Sequence, residues 1–452
     1  MAALFFDHAL LPQGWSTGVR VDLEGGRVAA ITADARAKEM QHCGGIALPG
    51  LPNVHSHTFQ RGMAGLAERR GDNADNFWTW RQVMYHFLGL LTPDDIETIA
   101  AFAFIEMLES GFTSVAEFHY LHHAPDGRPY DNPAELSERI VAAASATGIG
   151  LTLLPVLYSA SGFGGAPTSD GQRRLSNTLD RFLDLAKGAE ASAGKHGFQF
   201  GVAPHSLRAV PPEALKELLA ARRSGPVHIH VAEQIREVED CIAWSGKRPV
   251  EWLFGNVPVD ERWCLIHATH ADETEIRLMA ESGAIAGLCP ITEANLGDGI
   301  FAAKAYLEHG GLFGVGSDSQ IEINASGELR QLEYSQRLSR RSRNVLSPGP
   351  GKSTGRELYD RALAGGAQAL ARTAGALAPG RLADIVVLDS GHSNFAHVSG
   401  DRWLDAYLFT SPANAVQDVF VAGQHVVRGG QHRDRERVEK AYKRVLARIG
   451  DI

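Results

Sequence analysis

Short apolar runs alternate with amphipathic stretches through the middle of the chain. Besides the run that ends at His55, strand-like runs lie at residues 113–119, 150–157, 198–203, 227–230, 264–267, 284–288 and 312–316. Helical patterns between them, such as residues 93–109, 211–221, 271–282 and 328–338, follow capping or proline signals. Nearly continuous apolar runs are typical of parallel strands that are buried on both faces. The pattern therefore predicts an α/β fold, a TIM-like (β/α)₈ barrel.

The two ends of the chain show a different pattern. Short alternating runs at residues 3–6, 19–23 and 27–32 are matched by runs at 383–389, 416–422 and 425–428. We expect both termini to build one smaller β-sandwich domain, from residues 1–47 and 376–430, with the barrel (48–375) inserted between them. Residues 431–452 then form a charged, amphipathic C-terminal helix that docks on the barrel.

Polar residues that can bind a metal lie where the barrel strands end. His55 and His57, at positions i and i+2 of an extended segment, point to the same side of the first strand. His230 and Glu233 follow the fifth strand, His267 ends the sixth and Asp318 follows the eighth. Taken alone, each of these residues is explained as a polar side chain with satisfied hydrogen bonds or as a helix cap. Because the carboxyl ends of barrel strands surround one site, their coincidence indicates a metal centre.

Charge, cysteine spacing and the N-terminal sequence indicate the cellular compartment and exclude some classes of partner. The chain has 452 residues, and 44 basic against 53 acidic residues give a formal charge of −9, which argues against nucleic acid or an acidic membrane as partner. The four cysteines, Cys43, Cys241, Cys264 and Cys289, show no paired spacing. Asp7 interrupts the first apolar run and no basic region precedes it, so we expect no signal peptide and a cytoplasmic protein.

The strand-end residues closely resemble those of the metal-dependent amidohydrolase superfamily, and in particular its deaminase branch. Two further stretches support this resemblance. Residues 48–55 resemble the segment that leads to the end of the family's first barrel strand, and residues 377–388 resemble the segment in which the chain returns to the sandwich domain. Dinuclear members carry a lysine at the end of strand four, where this chain has His205, so the resemblance implies one divalent metal. Zn²⁺ is favoured, and Fe²⁺ or Mn²⁺ stays open.

The residues support hydrolytic deamination. A metal held by His55, His57, His230 and Asp318 lowers the pKa of a bound water from ~15.7 towards ~7, which makes hydroxide available as the nucleophile. Asp318 can accept the water proton, and Glu233 can pass a proton to the reacting nitrogen. His267 can stabilise the tetrahedral centre. We therefore expect Glu233, His267 and Asp318 to be catalytic.

Arginines indicate an anionic small-molecule substrate. Arg61 and Arg81 lie in the long segment 58–92, which has no clear regular pattern, and Arg208 follows the fourth strand. The same segment also carries Phe59, Phe77, Trp78, Trp80 and Tyr85. Such a segment is typical of a functional cap. Guanidinium groups match carboxylates, so a small dicarboxylate with a C=N end is a coherent ligand. The alternative is that these arginines are solvated or salt-bridged scaffold residues.

Residues 53–62, 77–81, 117–123 and 205–208 resemble the N-formimino-L-glutamate deiminases of histidine degradation. The resemblance implies conversion of N-formimino-L-glutamate to N-formyl-L-glutamate and ammonia, in a homodimer. It implies substrate contacts from Gln60, Arg81, Tyr120, His205 and Arg208, although Tyr120 can also be an interior barrel residue. Two alternatives stay open: a purine or S-adenosylhomocysteine-type deaminase, and a catalytically inactive metal-binding protein on the same fold.

Overall fold

The computed structural model describes residues 2–36, 41–70, 76–410 and 414–450. The strands are β1 (Ala2–Leu11), β2 (Gly14–Glu24), β3 (Arg27–Thr32), β4 (Gln41–His42), β5 (Ile46–Pro49), β6 (Leu51–Ser56), β7 (Phe112–His119), β8 (Gly150–Leu157), β9 (Gln199–Phe200), β10 (Ala203–Pro204), β11 (Val227–Val231), β12 (Trp263–His267), β13 (Ile285–Leu288), β14 (Leu312–Val315), β15 (Ile385–Leu388), β16 (Val416–Val421), β17 (Gln424–Arg428) and β18 (Gln431–His432).

The helices alternate with the barrel strands and flank the second sheet. They are α1 (Phe77–Leu88), α2 (Pro93–Ser110), α3 (Glu135–Thr147), α4 (Leu179–Lys195), α5 (Pro212–Ala221), α6 (Ile235–Ser245), α7 (Pro249–Asn256), α8 (Glu273–Ser282), α9 (Pro290–Leu296), α10 (Ala303–Glu308), α11 (Ala325–Arg340), α12 (Thr354–Ala369), α13 (Asp401–Phe409) and α14 (Arg435–Ile449). Short 3₁₀ helices lie at Thr58–Met63, Asp170–Gln172 and Ser393–Phe395. Among the described residues, no helix is both long and apolar enough to cross a membrane.

The central sheet is the predicted parallel barrel. Its strands run in the order β10-β8-β7-β6-β14-β13-β12-β11, and β9 pairs with β8. Parallel bridges from Val202 to Val227 and from Ser206 to His230 join the fourth-strand segment to β11 and close the ring. The predicted fourth strand is divided into β9 and β10, and Pro204 offers no N–H to the ladder. The expectation of a (β/α)₈ barrel is confirmed.

The second sheet combines both ends of the chain, as expected. Its order is β18-β17-β16-β15-β5-β1-β2-β3, with β4 beside β1. The sheet curls, so that its β3 end meets the segment before β15. There Val28 N donates to Arg381 O at 2.9 Å, and Ala383 N donates to Gly26 O at 3.0 Å. Phe6 and Phe420 from opposite halves of the sequence meet in its core, with ring centroids 6.4 Å apart. The exact division of the chain at residues 47, 375 and 430 stays a prediction.

Strand β5 connects the two parts of the molecule. It pairs with β1 on one side and with β15 on the other, and Gly50 leads directly into β6. A Cβ atom at Gly50 would lie 2.1 Å from Cγ2 of Thr113, so only glycine fits at this crossing. The strand that carries His55 is therefore anchored at its start by strands from both ends of the chain.

The C-terminal helix α14 packs on the barrel. The Tyr442 ring of α14 stacks on Phe102 of α2, with centroids 4.0 Å apart. Its hydroxyl donates to the carbonyl of Arg61 at 3.0 Å, and Arg435 pairs with Glu109 at 3.0 Å. The helix thus supports the segment that follows His57.

The segment 58–92 is more regular than its sequence indicated. It contains the 3₁₀ helix Thr58–Met63 and helix α1, while residues 71–75 of the predicted cap lie outside the described residues. Helix α1 starts at an Asn76 capping box, in which the Asn76 side chain accepts from Trp78 N at 2.8 Å and Thr79 Oγ1 accepts from Asn76 N at 3.0 Å. The description of this segment as lacking a regular pattern was wrong, because the capping signal went unrecognised.

Candidate metal centre and active site

Four predicted metal ligands converge at the carboxyl ends of three barrel strands. The Nε2 atoms of His55 and His230 are 3.0 Å apart. Asp318 Oδ1 lies 3.5 Å from Nε2 of His55 and 3.4 Å from Nε2 of His57. All four residues are buried, and the backbones of β6 and the Asp318 segment are joined by Asp318 N donating to His55 O at 3.0 Å.

The donor set fits a divalent transition metal. His57 Nδ1 lies 2.9 Å from Phe118 O, and His230 Nδ1 lies 3.0 Å from His205 O, so both Nδ1 atoms donate to carbonyls. Their Nε2 lone pairs therefore face the centre, as in metal-binding histidines. Burial lowers the pKa of His57 to about 3 and holds the pKa of His55 and His230 well below the ordinary value. Neutral imidazoles beside a carboxylate suit Zn²⁺, Fe²⁺ or Mn²⁺.

The three predicted catalytic residues adjoin this cluster. His267 Nε2 lies 3.8 Å from Glu233 Oε1 and 3.9 Å from Asp318 Oδ2. Burial lowers the pKa of His267, but the charges of Glu233, Asp318 and Glu293 outweigh it and raise the pKa to about 10. Burial, aided by the neighbouring carboxylates, raises the pKa of Asp318 to about 7. The carboxylates around His267 therefore favour its protonated form.

A cavity of about 560 Å³, including its mouth, opens beside the cluster. All five predicted substrate-binding residues line it, together with aromatic and small polar side chains. The lining comprises His57, Gln60, Phe77, Trp80, Arg81, Met84, Tyr85, Tyr120, Tyr158, Leu175, His205, Arg208, His230, Glu233, His267, Thr292, Leu296, Asp318 and Ser319.

Two guanidinium groups face this cavity. Arg208 is buried and its Nε lies 3.9 Å from Oε2 of Glu237. The Cζ atoms of Arg81 and Arg208 lie 4.6 and 5.6 Å from the ring centroid of Trp78, so both guanidinium groups adjoin this ring. Within the described residues, the buried Nε atoms of both arginines have no hydrogen-bond partner. Each guanidinium group therefore keeps a donor that no described protein group uses.

Tyr120 and Gln60 form another part of the cavity wall. Gln60 Nε2 donates to the Tyr120 hydroxyl at 2.8 Å, and the Tyr120 ring lies 4.7 Å from the ring of His57. The Gln60 carbonyl oxygen is buried without a partner in the part of the chain that the structure describes. His205 Nδ1 lies 3.0 Å from Ser206 Oγ. Tyr120 is thus both an interior barrel residue and part of the cavity wall.

Several buried histidines, Arg61 and Cys289 lie away from the cavity. His228 is fully buried, and its Nε2 donates to Ala369 O at 2.8 Å. His122 Nε2 donates to Val156 O at 2.9 Å. Arg61 pairs with Glu106 at 2.6 Å, as a scaffold arginine would. His119, His123 and Cys289 are also buried and do not line the cavity.

Other residues near the site were missed by sequence reasoning. Glu293 Oε1 lies 3.2 Å from Nδ1 of His267, Glu117 accepts from Ser56 and Thr58 on either side of His57, and Tyr158 lines the cavity. Glu237 contacts both the Glu233 backbone and Arg208. No short spacing marks Glu293 or Glu117, because tertiary folding alone brings them to these partners.

Family models match nearly the whole chain. The model of the amidohydrolase family matches residues 46–426, and the model described as formimidoylglutamate deiminase HutF, N-terminal domain, matches residues 1–42. The first match spans the barrel and part of the second sheet, and the second match spans the N-terminal strands.

Individual relatives match most or all of the chain. A formimidoylglutamate deiminase of Pseudomonas aeruginosa is 53% identical over 453 residues, covering 100% of both chains. A 5-methylthioadenosine/S-adenosylhomocysteine deaminase of Natronomonas pharaonis is 26% identical, covering 82% of this chain and 79% of its own. A crystal structure of an amidohydrolase from Brucella melitensis, 50% identical, superposes with a TM-score of 0.95 over 99% of this chain and 100% of that one. The chain belongs to the amidohydrolase family.

Proposed function

We propose that this protein hydrolyses N-formimino-L-glutamate to N-formyl-L-glutamate and ammonia. The observation that carries the proposal is a pair of guanidinium groups, Arg81 and Arg208. They line the same cavity as the histidine and aspartate cluster that can bind a metal. A substrate with two carboxylates and a C=N carbon matches both features. The 53% identity with a formimidoylglutamate deiminase over the full chain supports the same substrate.

We assign binding of the substrate carboxylates to Arg81 and Arg208. Each guanidinium can form paired, charge-assisted hydrogen bonds with a carboxylate. Gln60 and His205 supply further polar contacts, while Tyr120 closes the wall beside His57. Binding at the carboxylate end fixes the formimino carbon beside His57, His230 and Asp318, which turns a bimolecular encounter into a positioned reaction.

The chain's own residues then handle the protons. A divalent metal, when bound, supplies hydroxide at neutral pH and polarises the C=N bond. Asp318 takes up the two protons that the attacking water loses, one at the attack and one as the C=O bond forms. Glu233 delivers two protons to the formimino nitrogen, so that =NH becomes –NH₂ and then leaves as ammonia. His267, held between Glu233 and Glu293, donates a hydrogen bond to the developing tetrahedral centre. The C–N bond breaks, and the carbonyl oxygen of the product comes from water.

The test is a coupled ammonia-release assay on protein of measured metal content. N-formimino-L-glutamate is compared with purines, guanidino acids, S-adenosylhomocysteine and N-formiminoglycine, which lacks the side-chain carboxylate. We expect turnover of the dicarboxylate with one metal per chain and a much higher KM for N-formiminoglycine. Turnover confined to purines or S-adenosylhomocysteine would overturn the substrate, and no ammonia from any compound with metal bound would indicate an inactive metal-binding protein.

We also propose zinc as the metal, a homodimer in solution, a cytoplasmic location and a role in histidine degradation. The nitrogen-rich donor set supports zinc, although it accepts iron and manganese. Metal analysis of protein purified without added metal tests the first proposal, and light scattering tests the second.

A further inference from the structure

The side chain of Glu237, in the first turn of α6, folds back over the loop that carries Glu233. Its Oε1 accepts from Ala232 N and its Oε2 accepts from Glu233 N, both at 3.2 Å. Glu237 is completely buried. Two successive backbone N–H groups therefore hold one carboxylate, the arrangement of an anion-binding nest.

The backbone of this loop needs that carboxylate. Ala232 has φ +50°, a left-handed conformation that disfavours residues with a Cβ atom. Such a conformation persists only where the surroundings hold it in place. Because the N–H groups on both sides of the Ala232 Cα point to Glu237, this side chain fixes the direction in which Glu233 leaves the end of β11.

The same carboxylate faces the substrate-binding arginine. Oε2 of Glu237, which accepts from Glu233 N, lies 3.9 Å from Nε of Arg208. The Arg208 side chain is 7% exposed, and among the described residues no other carboxylate lies within 4.0 Å of it. Glu237 is therefore the counter-charge against which Arg208 is held.

We propose that Glu237 is a positioning residue that links recognition of the substrate carboxylate to the placement of the proton donor Glu233. One buried carboxylate fixes both groups, so the end of the substrate bound by Arg208 and the nitrogen protonated by Glu233 are held at a set separation. This inference rests on the proposed function, because it assigns the roles of Arg208 and Glu233 from that reaction.

The test measures kcat and KM for N-formimino-L-glutamate in four proteins: the unchanged chain, Glu237→Gln, Arg208→Ala and the double variant. Glutamine keeps the size of the side chain, loses its charge and can accept at only one of its two ends. We expect Glu237→Gln to lower kcat about tenfold or more and to raise KM about tenfold, the usual scale for residues that orient a functional group. In the Arg208→Ala background, Glu237→Gln should still lower kcat but add nothing to KM.

Controls separate positioning from loss of structure. Glu239→Gln makes the same charge change at an exposed position of α6 and should leave both constants unchanged. Metal content and melting temperature establish that each variant is folded, and Glu237→Asp, which keeps the charge but shortens the reach, replaces Glu237→Gln if that variant does not fold.

The outcomes are distinct. Unchanged kcat and KM in a folded Glu237 variant would overturn the inference, as would fully additive effects on KM in the double variant. If the unchanged chain releases no ammonia from N-formimino-L-glutamate, the proposed function itself fails, which the first protein in the series shows separately.

Discussion

Arg208 is a cation buried beside the cluster of histidines, and Arg208→Ala tests what that charge does. We expect KM for N-formimino-L-glutamate to rise at least about 30-fold, since truncating one partner of a buried charge pair costs ~2–5 kcal/mol. Metal content should not change. Steady-state kinetics check this, with Arg222→Ala as control because Arg222 pairs with Glu190 outside the cavity. An unchanged KM would remove the carboxylate argument.

Glu233 carries the proposed proton transfer. Glu233→Gln keeps the shape of the side chain and removes its ability to exchange a proton, so we expect kcat to fall by ~10²–10⁴. KM and metal content should stay close to those of the unchanged chain, because Glu233 is outside the predicted ligand set. Single-turnover ammonia release measures the effect, and a near-normal rate would refute the role.

Some residues of this site could be predicted from the sequence and others could not. His55, His57, His230 and Asp318 were predicted because strand periodicity and strand ends define one face and one edge of a barrel. Arg208 was predicted from its position after the fourth strand, and Tyr120 from a resemblance; both line the cavity. Glu237 and Glu293 were missed because their partners, Arg208 and His267, are brought to them only by packing of the finished barrel.

Helix α1 carries Arg81 over the cavity and depends on its own first turn. Asn76→Ala removes the capping box, which costs about 1 kcal/mol of helix stability. Because α1 must be formed to present Arg81, we expect KM to rise up to about fivefold with kcat unchanged.

Thr92→Ala is the matched control for Asn76→Ala. It removes the equivalent cap from α2, which does not line the cavity, so it should lower the melting temperature and leave KM unchanged. Equal effects of both variants on KM would show that α1 does not position Arg81.

The loop after β7 contributes a pH-dependent element. His122 donates to Val156 O of β8, and burial lowers its pKa to about 3. Because the folded pKa lies below the unfolded value of about 6.5, the stability from neutral His122 is present above pH 6.5 and is lost as pH falls towards 3. His122→Gln should remove this loss.

Urea unfolding of metal-free protein between pH 7 and pH 4 measures the effect of His122. Below pH 6.5 the unfolding free energy of the unchanged chain should fall relative to His122→Gln by about 1.4 kcal/mol per pH unit. The other buried histidines titrate in both proteins, so they cancel in the difference. Parallel curves for the two proteins would contradict the assignment.

The barrel strands were predicted well at the scale of elements, and helix α1 was not. All eight barrel runs were identified from the sequence, because most of the strands are buried on both faces and are therefore nearly continuously apolar. The strand formed by the fourth run is broken at residues 201 and 202, between β9 and β10. Helix α1 is rich in aromatic residues that serve the cavity, so it lacks the simple apolar stripe of a helix packed on a core.

At the scale of the whole molecule, a buried ion pair joins the barrel to the second sheet. Asp384 Oδ2 lies 3.1 Å from Nη2 of Arg372, and Asp384 Oδ1 accepts from Ala422 N at 2.8 Å. Asp384→Ala leaves Arg372 buried without its partner, so we expect a loss of about 3–5 kcal/mol in unfolding free energy.

The kinetic constants should survive Asp384→Ala at temperatures where the variant is folded, because neither residue lines the cavity. Thermal and chemical denaturation measure the loss. Asp389→Ala, which removes a local turn bond to Gly391 N, is the control and should cost far less. Equal losses would mean that the ion pair is not what joins the two parts.

The position of β5 between β1 and β15 has a consequence for the order of events on the ribosome. Residues 46–49 lie early in the chain, and one of their two hydrogen-bonded neighbours, residues 385–388, is translated after the entire barrel. A nascent chain that has reached residue 384 holds every metal ligand of the proposed set. The edge of β5 that will pair with β15 is still open in this nascent chain, and an unpaired strand edge can pair with the wrong strand. Translation of the last strands therefore anchors the first strand of the active site.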